Sequence, residues 1–120
     1  MVGDISILTT IKKMLGVTAE YDAFDTSIIV NINTVLMTLS QLGVGAPDFL
    51  ISDESATWTD FLGESKILEG VKTYIYIQTK LLFDPPTVAS LLQALKEQAA
   101  MLEWRLIVQT EGTVNVSATT

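Results

Sequence analysis

The chain contains no cysteine and no histidine. Their absence removes disulfides, thiolate chemistry, nearly all zinc sites and every catalytic triad built on an imidazole. An enzyme made from this alphabet would rely on carboxylates, lysines, tyrosines or a borrowed cofactor. The lack of cysteine also fits a reducing compartment. Basic residues are scarce and badly spread: none occurs between Lys13 and Lys66, an interval that holds Glu20, Asp22, Asp25, Asp48, Asp53, Glu54, Asp60 and Glu64. With 7 Lys and Arg against 14 Asp and Glu, the net charge is −7. Such a surface does not grip a phosphate backbone, because nucleic-acid affinity comes largely from Lys and Arg displacing counterions. Its simplest use is solubility.

A second absence lies inside the first. Residues 26–47 carry no charge of either sign, which raises the question of a membrane span. A regular polar stripe and the Gly43-Val44-Gly45 ending argue against one. The first twenty residues place Asp4 and Glu20 around Lys12 and Lys13, with no apolar block followed by a small-residue cleavage site. No secretory signal is read there, a cytoplasmic origin is expected, and Asn115-Val116-Ser117 is then a chance match to a glycosylation acceptor.

What is present is a helical pattern. With 120 residues and 48% hydrophobic content, the chain can build one cooperative core and is too short for two ordinary domains. Ile5, Leu8, Ile11, Lys12 and Leu15 predict a short helix from Asp4 to Leu15, capped by Asp4 and stopped by Gly16. From Asp25 to Leu42, one face carries Ile28, Ile32, Val35, Leu39 and Leu42, with Ile29 and Leu36 beside them. The opposite stripe, Ser27, Asn31, Thr34, Thr38 and Gln41, is polar yet uncharged. It reads either as the solvated side of an ordinary amphipathic helix or as a face that meets another subunit, where hydrogen-bonding groups are easier to bury than charges.

Residues 43–63 change character. Gly43, Gly45 and Pro47 break the helix, Phe49-Leu50-Ile51 suits a short extended piece, Asp53 to Ala56 reads as a turn, and Trp58, Phe61 and Leu62 suit a cover for the core. A connection this long in a small domain is more often functional than idle. Gly43-Val44-Gly45 follows a helix and lacks a third glycine, so it is no dinucleotide fingerprint. The segment Glu64 to Phe83 alternates locally like a strand, but Ile67, Leu68, Val71, Tyr74, Ile75, Gln78 and Leu82 also share a helical face, and its length decides for helix. Tyr74 and Tyr76 are read as packing residues.

The stretch Phe83-Asp84-Pro85-Pro86 forms a hard corner. Neither proline offers a backbone donor, and Pro85 disfavours helical geometry at Asp84, so the helix ends near Phe83. Asp84 or Thr87 can cap the next helix. Its core face is Val88, Leu91, Leu92, Leu95, Ala99, Leu102 and Leu106, giving an antiparallel hairpin with a stiff joint. After Gln109 the chain turns small, polar and β-prone. It reads as a flexible terminus or as an arm that orders on a neighbour, by adding a strand for example.

The expected fold is therefore all-α: a bundle of about four helices over residues 1–109, a long acidic loop between the second and third long segments, and a flexible C-terminal arm over residues 110–120. Chemistry is nearly absent. Asp22 with Asp25, and Asp53 with Glu54, are the only candidate carboxylate pairs, and nothing near them splits their pKa values. No catalytic, cofactor-binding or metal-binding residue is assigned, and the protein reads as a non-enzyme.

Taken together, "SILTTIKKMLGV", "YDAFDTSIIVNINTVLMTLSQLGVGAP", "ISDESATWTDFL", "VKTYIYIQTKLLFDPP" and "EWRL" resemble the small head-tail connector proteins, also called head-completion or adaptor proteins, of long-tailed bacteriophages and prophages. The resemblance runs from about Ser6 to Leu106. Its most specific parts are Ile32-Asn33 through Leu39, Gln41, Leu42 and Gly43, and the Phe83 to Pro86 corner. It implies a helical subunit of a ring, typically dodecameric, that sits beneath the portal, extends the DNA channel after packaging and docks the next head-completion or tail protein.

On that reading the uncharged stripe becomes the candidate subunit interface. Asp48, Asp53, Glu54, Trp58 and Asp60 become a channel-lining or partner-facing loop, and Thr113, Val114 and Val116 an arm that orders on the portal. DNA would pass without specific binding, no membrane is involved, and the protein would reside at the head-tail junction of the virion after assembly in the host cytoplasm. The competing classes are an acidic helical interaction module, such as a regulator or assembly chaperone, and a small carboxylate hydrolase.

Overall fold

In the computed structural model, residues 5–63 and 67–119 are described, with side chains through residue 110. The all-α expectation holds: five helices form, and no strand occurs among the described residues. Helix α1 spans Ile7–Leu15. Its N-cap is Ser6, whose hydroxyl accepts the Thr9 N–H, and Gly16 closes it in the left-handed region at φ 85°. The cap is thus two residues later than expected. Asp4 lies outside the described residues.

Helix α2 spans Asp25–Gln41 and buries Ile28, Ile32, Val35, Leu36 and Leu39, the face its periodicity predicts. Within the long connection a short helix, α3, spans Trp58–Leu62. A reciprocal box starts it: the Thr57 hydroxyl accepts the Asp60 N–H, and the Asp60 carboxylate accepts the Thr57 N–H. Trp58 and Phe61 are core residues. The expected cover for the core is therefore a turn of helix, held further by an isolated antiparallel bridge between Ser6 and Thr57. The Phe49 to Ile51 piece, expected as a short extended stretch, takes no regular secondary structure.

Helix α4 spans Leu68–Phe83; the start expected at Glu64 falls among residues 64–66, outside the described set. It packs against α1, α2 and α5. A helix surrounded in this way needs apolar residues on several sides, and α4 buries Val71, Tyr74, Ile75, Ile77 and Thr79. This explains why the segment looked ambiguous in sequence. Leu82, expected on the core face, is instead exposed next to the corner.

The corner stops α4 at Phe83 as the prolines require, and Asp84 pairs with Lys80 one turn back at 3.7 Å. Helix α5 spans Ala89–Thr119. Its first helical bond runs from the Leu92 N–H to the Val88 carbonyl, so the helix starts just beyond Thr87, and neither Asp84 nor Thr87 supplies a side-chain cap among the described residues. Ala99 and Leu106 are buried and Leu92, Leu95 and Leu102 half-buried, while Val88 and Leu91 lie exposed in the first turn. The helical backbone continues through the stretch whose composition favours extended chain. An established helix adds residues without repeating the unfavourable nucleation step.

Candidate interaction surfaces

Among the described residues no cluster of acids is placed to hold a metal ion. The informative features are surfaces, and the first is the outer face of α2. Ser27, Thr34 and Gln41 are exposed and Asn31 and Thr38 half-exposed. The two threonine hydroxyls donate back into their own helix, Thr34 to the Val30 carbonyl at 3.0 Å and Thr38 to the Thr34 carbonyl at 3.4 Å. With those donors satisfied locally, the threonines present methyl groups outward. Val30 and Met37 stand between them, each 58% exposed. The face is therefore more apolar than its sequence suggests.

A depression adjoins each end of this face. One, of about 520 Å³, is lined by Phe24, Thr26, Ser27, Val30, Asn31, Leu82 and Phe83. The other, of about 250 Å³, lies between Met37, Ser40 and Gln41 on α2 and Asp48, Phe49 and Leu50 in the connection. The Ser40 hydroxyl accepts the Asp48 N–H at 3.1 Å and holds that rim. Asp48 itself adopts φ 58°.

The connection is pinned rather than loose. Asn33 uses both ends of its amide on one residue: its carbonyl oxygen accepts the Ile51 N–H at 2.8 Å, and its NH₂ donates to the Ile51 carbonyl at 2.9 Å. A side chain thus supplies the pairing a neighbouring strand would give. Trp58 sits wholly inside, its Nε1 donating to the Thr10 hydroxyl at 3.0 Å, and the Lys72 ammonium lies 6.0 Å from the indole ring. Of the five residues expected in a partner-facing loop, Trp58 packs the core and Asp60 caps α3. Asp48, Asp53 and Glu54 are exposed. The Ser55 hydroxyl and N–H both donate to the Asp53 carboxylate and hold its pKa below the ordinary value.

The acids are not scattered. Glu20, Asp22 and Asp25 meet Asp53 and Glu54 around one depression floored by Leu8 and Ile29. Both candidate carboxylate pairs thus fall at one place, and Lys12 neutralises one member from below. Lys12 is buried, with its ammonium 2.7 Å from Asp25 Oδ1 and donating to the carbonyls of Ala19 at 3.1 Å and Tyr21 at 2.8 Å. The Asp25 contact is an ion pair rather than a well-directed hydrogen bond. Sequence periodicity put Lys12 on the core face without suggesting that its charge would be buried there.

At the corner, Phe83 packs edge-on against Phe24, and Phe24 against Tyr21, each at 5.4 Å between centroids. Asp84, Pro85 and Pro86 complete the joint between α4 and α5. The side chains of Thr113, Val114 and Val116 lie outside the described ones.

One surface escaped the sequence reading. On the side of α5 away from Ala99 and Leu106, Met101 is 52%, Trp104 64% and Val108 42% exposed. The available signal was a second apolar series three and four residues apart, masked by the stronger leucine series beside it.

A family model described as phage connector protein matches residues 7–113. No curated protein and no solved structure matches the chain.

Proposed function

The chain belongs to the phage connector protein family, and from that premise we propose that it assembles as a ring beneath the portal at the capsid vertex. The family's role is structural rather than enzymatic, and it places the chain in the virion in contact with other head and tail proteins. The proposed ring is dodecameric, extends the DNA channel after packaging and offers a docking surface to the next head-completion or tail protein. The observation that carries this reading is the outer face of α2: a long, uncharged, half-apolar surface on a protein otherwise rich in acids. A monomer gains nothing from leaving Val30 and Met37 in water, whereas a ring subunit buries such a face against its neighbour.

The acidic depression supports a second part of the proposal. Glu20, Asp22, Asp53 and Glu54 face the lumen or the downstream partner. An acidic wall lets DNA slide, because like charges deny it the counterion release that makes binders hold on. Residues 110–120 act as the arm that reaches the portal.

The test is electron microscopy of lysates from the parent phage carrying a stop codon at Trp58. Filled or leaking heads without tails are the expected result. Normal virions, or a failure to form heads, would overturn the connector role. A ring whose inner wall is formed by the lysine-bearing helices would overturn the acidic lumen alone.

A further inference from the structure

A ring of identical subunits needs two different faces that fit each other and point away from one another. The molecule has such a pair. The aromatic contact between Phe24 and Phe83 puts the start of α2 beside the end of α4. On α5, Glu103 accepts the Tyr74 hydroxyl at 2.8 Å, and Leu106 lies 4.0 Å from where a Cβ on Gly70 would stand. Helix α4 is therefore antiparallel to both α2 and α5, and α2 and α5 run parallel. Tyr74 and Phe83 are nine residues apart, about two and a half turns, so α5 and the start of α2 approach α4 from different sides. Both helices pack on α4, and their outer faces are each turned away from it.

The two faces also share a level. A Cβ on Gly43 would meet the Thr110 side chain at 3.3 Å, which ties the end of α2 to that point of α5. Counting back along two parallel helices at equal rise, Val108 stands level with Gln41, Trp104 with Met37 and Met101 with Thr34. Mating patches at equal height close a ring, whereas unequal heights generate a helical filament.

From these placements we propose that Trp104 of one subunit seats in the depression formed by Met37, Gln41, Phe49 and Leu50 of the next. Met101 and Val108 flank it against the outer face of α2. The occupant is a second copy of this chain, and the inference rests on the ring reading above. The depression is lined mainly by apolar atoms and has room for one aromatic side chain. Charge fits as well. Arg105, adjacent to the tryptophan, makes no ion pair among the described residues. Asp48 stands on the rim of the receiving depression, where the guanidinium would meet a carboxylate on a surface otherwise free of charge. Tryptophan and arginine are the side chains most often found to dominate interfaces.

The absence of cysteine makes the test clean. Single variants Gln41→Cys and Val108→Cys are mixed at high concentration and treated with a short bis-maleimide. The expected product is a mixed dimer, with at least tenfold less product from either variant alone. Adding Trp104→Lys to the Val108→Cys chain, or Leu50→Lys to the Gln41→Cys chain, is expected to suppress the mixed product at least tenfold. Both added substitutions fall on exposed side chains, and circular dichroism checks that the helices remain. Negative-stain images of the wild-type chain, free and bound to the portal, separate the two claims. Rings without the mixed product overturn this contact and leave the ring standing. Mixed product in open chains, with no ring even on the portal, keeps the contact and overturns the ring. Neither product nor ring overturns both.

Discussion

Substituting Lys12 by methionine tests whether the buried ammonium organises the connection between α1 and α2. Methionine keeps most of the apolar stem in place and removes the charge. Three contacts are lost: the carbonyls of Ala19 and Tyr21 and the Asp25 carboxylate. Breaking a buried ion pair destabilises by about 3–5 kcal/mol, and hydrogen bonds from a charged donor contribute about 1.5–3 kcal/mol. Two features reduce the total. Asp25 is 30% exposed, and water can reach it. The freed carbonyls belong to an exposed stretch and can be rehydrated. Removing a desolvated ammonium also returns part of the loss. The net expectation is about 2–3 kcal/mol, or a fall in Tm of roughly 6–15 °C for a domain of this size.

Urea unfolding followed by circular dichroism reads this difference directly. Asp25→Asn keeps an oxygen near Lys12 and is expected to cost about 1 kcal/mol, since the ammonium retains both carbonyls. The double variant should fall short of the sum by about 1 kcal/mol, because the ion pair can be lost only once. Equal stability of wild type and Lys12→Met, or strict additivity, would show that the connection is held by its apolar contacts and that the reasoning about the ammonium is wrong.

Other sites give sharper or opposite effects. Asn33→Ala should destabilise by about 2 kcal/mol and raise hydrogen exchange at Ile51 before it affects α2; unchanged exchange at Ile51 would contradict the pinning role. Gly45 sits at φ 76°, where an added Cβ would lie 2.6 Å from Phe61 Cζ, so Gly45→Ala combines backbone strain with a displaced core ring, about 2–4 kcal/mol in a chemical denaturation curve. Thr79 is fully buried and its hydroxyl has no partner among the described residues; Thr79→Val is therefore expected to raise stability by about 1 kcal/mol, and a loss of that size would reveal a partner for the hydroxyl. Burial pushes the Tyr74 pKa up to about 12, with Glu103 adding to the rise and Gln78 opposing it. Between the ordinary pH 10 and that value the folded state holds a proton that the unfolded chain has lost. Stability should accordingly fall as pH rises through that window, and Tyr74→Phe should flatten the fall.

The elements readable in advance were those whose signals are local and repeated. The α2 face repeats over several turns, Gly16 has the one conformation that a glycine stop implies, and two prolines leave α4 nowhere to go beyond Phe83. The features that escaped depend on partners distant in sequence. Asn33 is an ordinary polar residue in a helical pattern until Ile51 is brought beside it. Trp58 was read from its neighbours as cover for the core and is buried there; the resemblance also placed it in a partner-facing loop, and nothing near residue 58 announces its bond to Thr10. The stripe of Met101, Trp104 and Val108 was legible as an apolar series, but the leucine series of the same helix competes for the same reading. Only packing shows which of the two meets α4. The Lys12 ammonium is the opposite case, where periodicity gave the right face and residue type gave the wrong environment.

The link between Thr10 and Trp58 has a consequence in time as well as space. The two residues are 48 positions apart, and synthesis adds roughly 5–20 residues per second. For roughly 2–10 s on each new chain, α1 waits for Trp58, and longer still for α4, against which it also packs. Nine residues are too few to hold a helix without packing. Helix α1 is therefore made before the segments it packs against and gains its structure only with them. The depression between α2 and the connection is completed late as well, since its Phe49 and Leu50 side leads into the segment that carries Trp58 to its place.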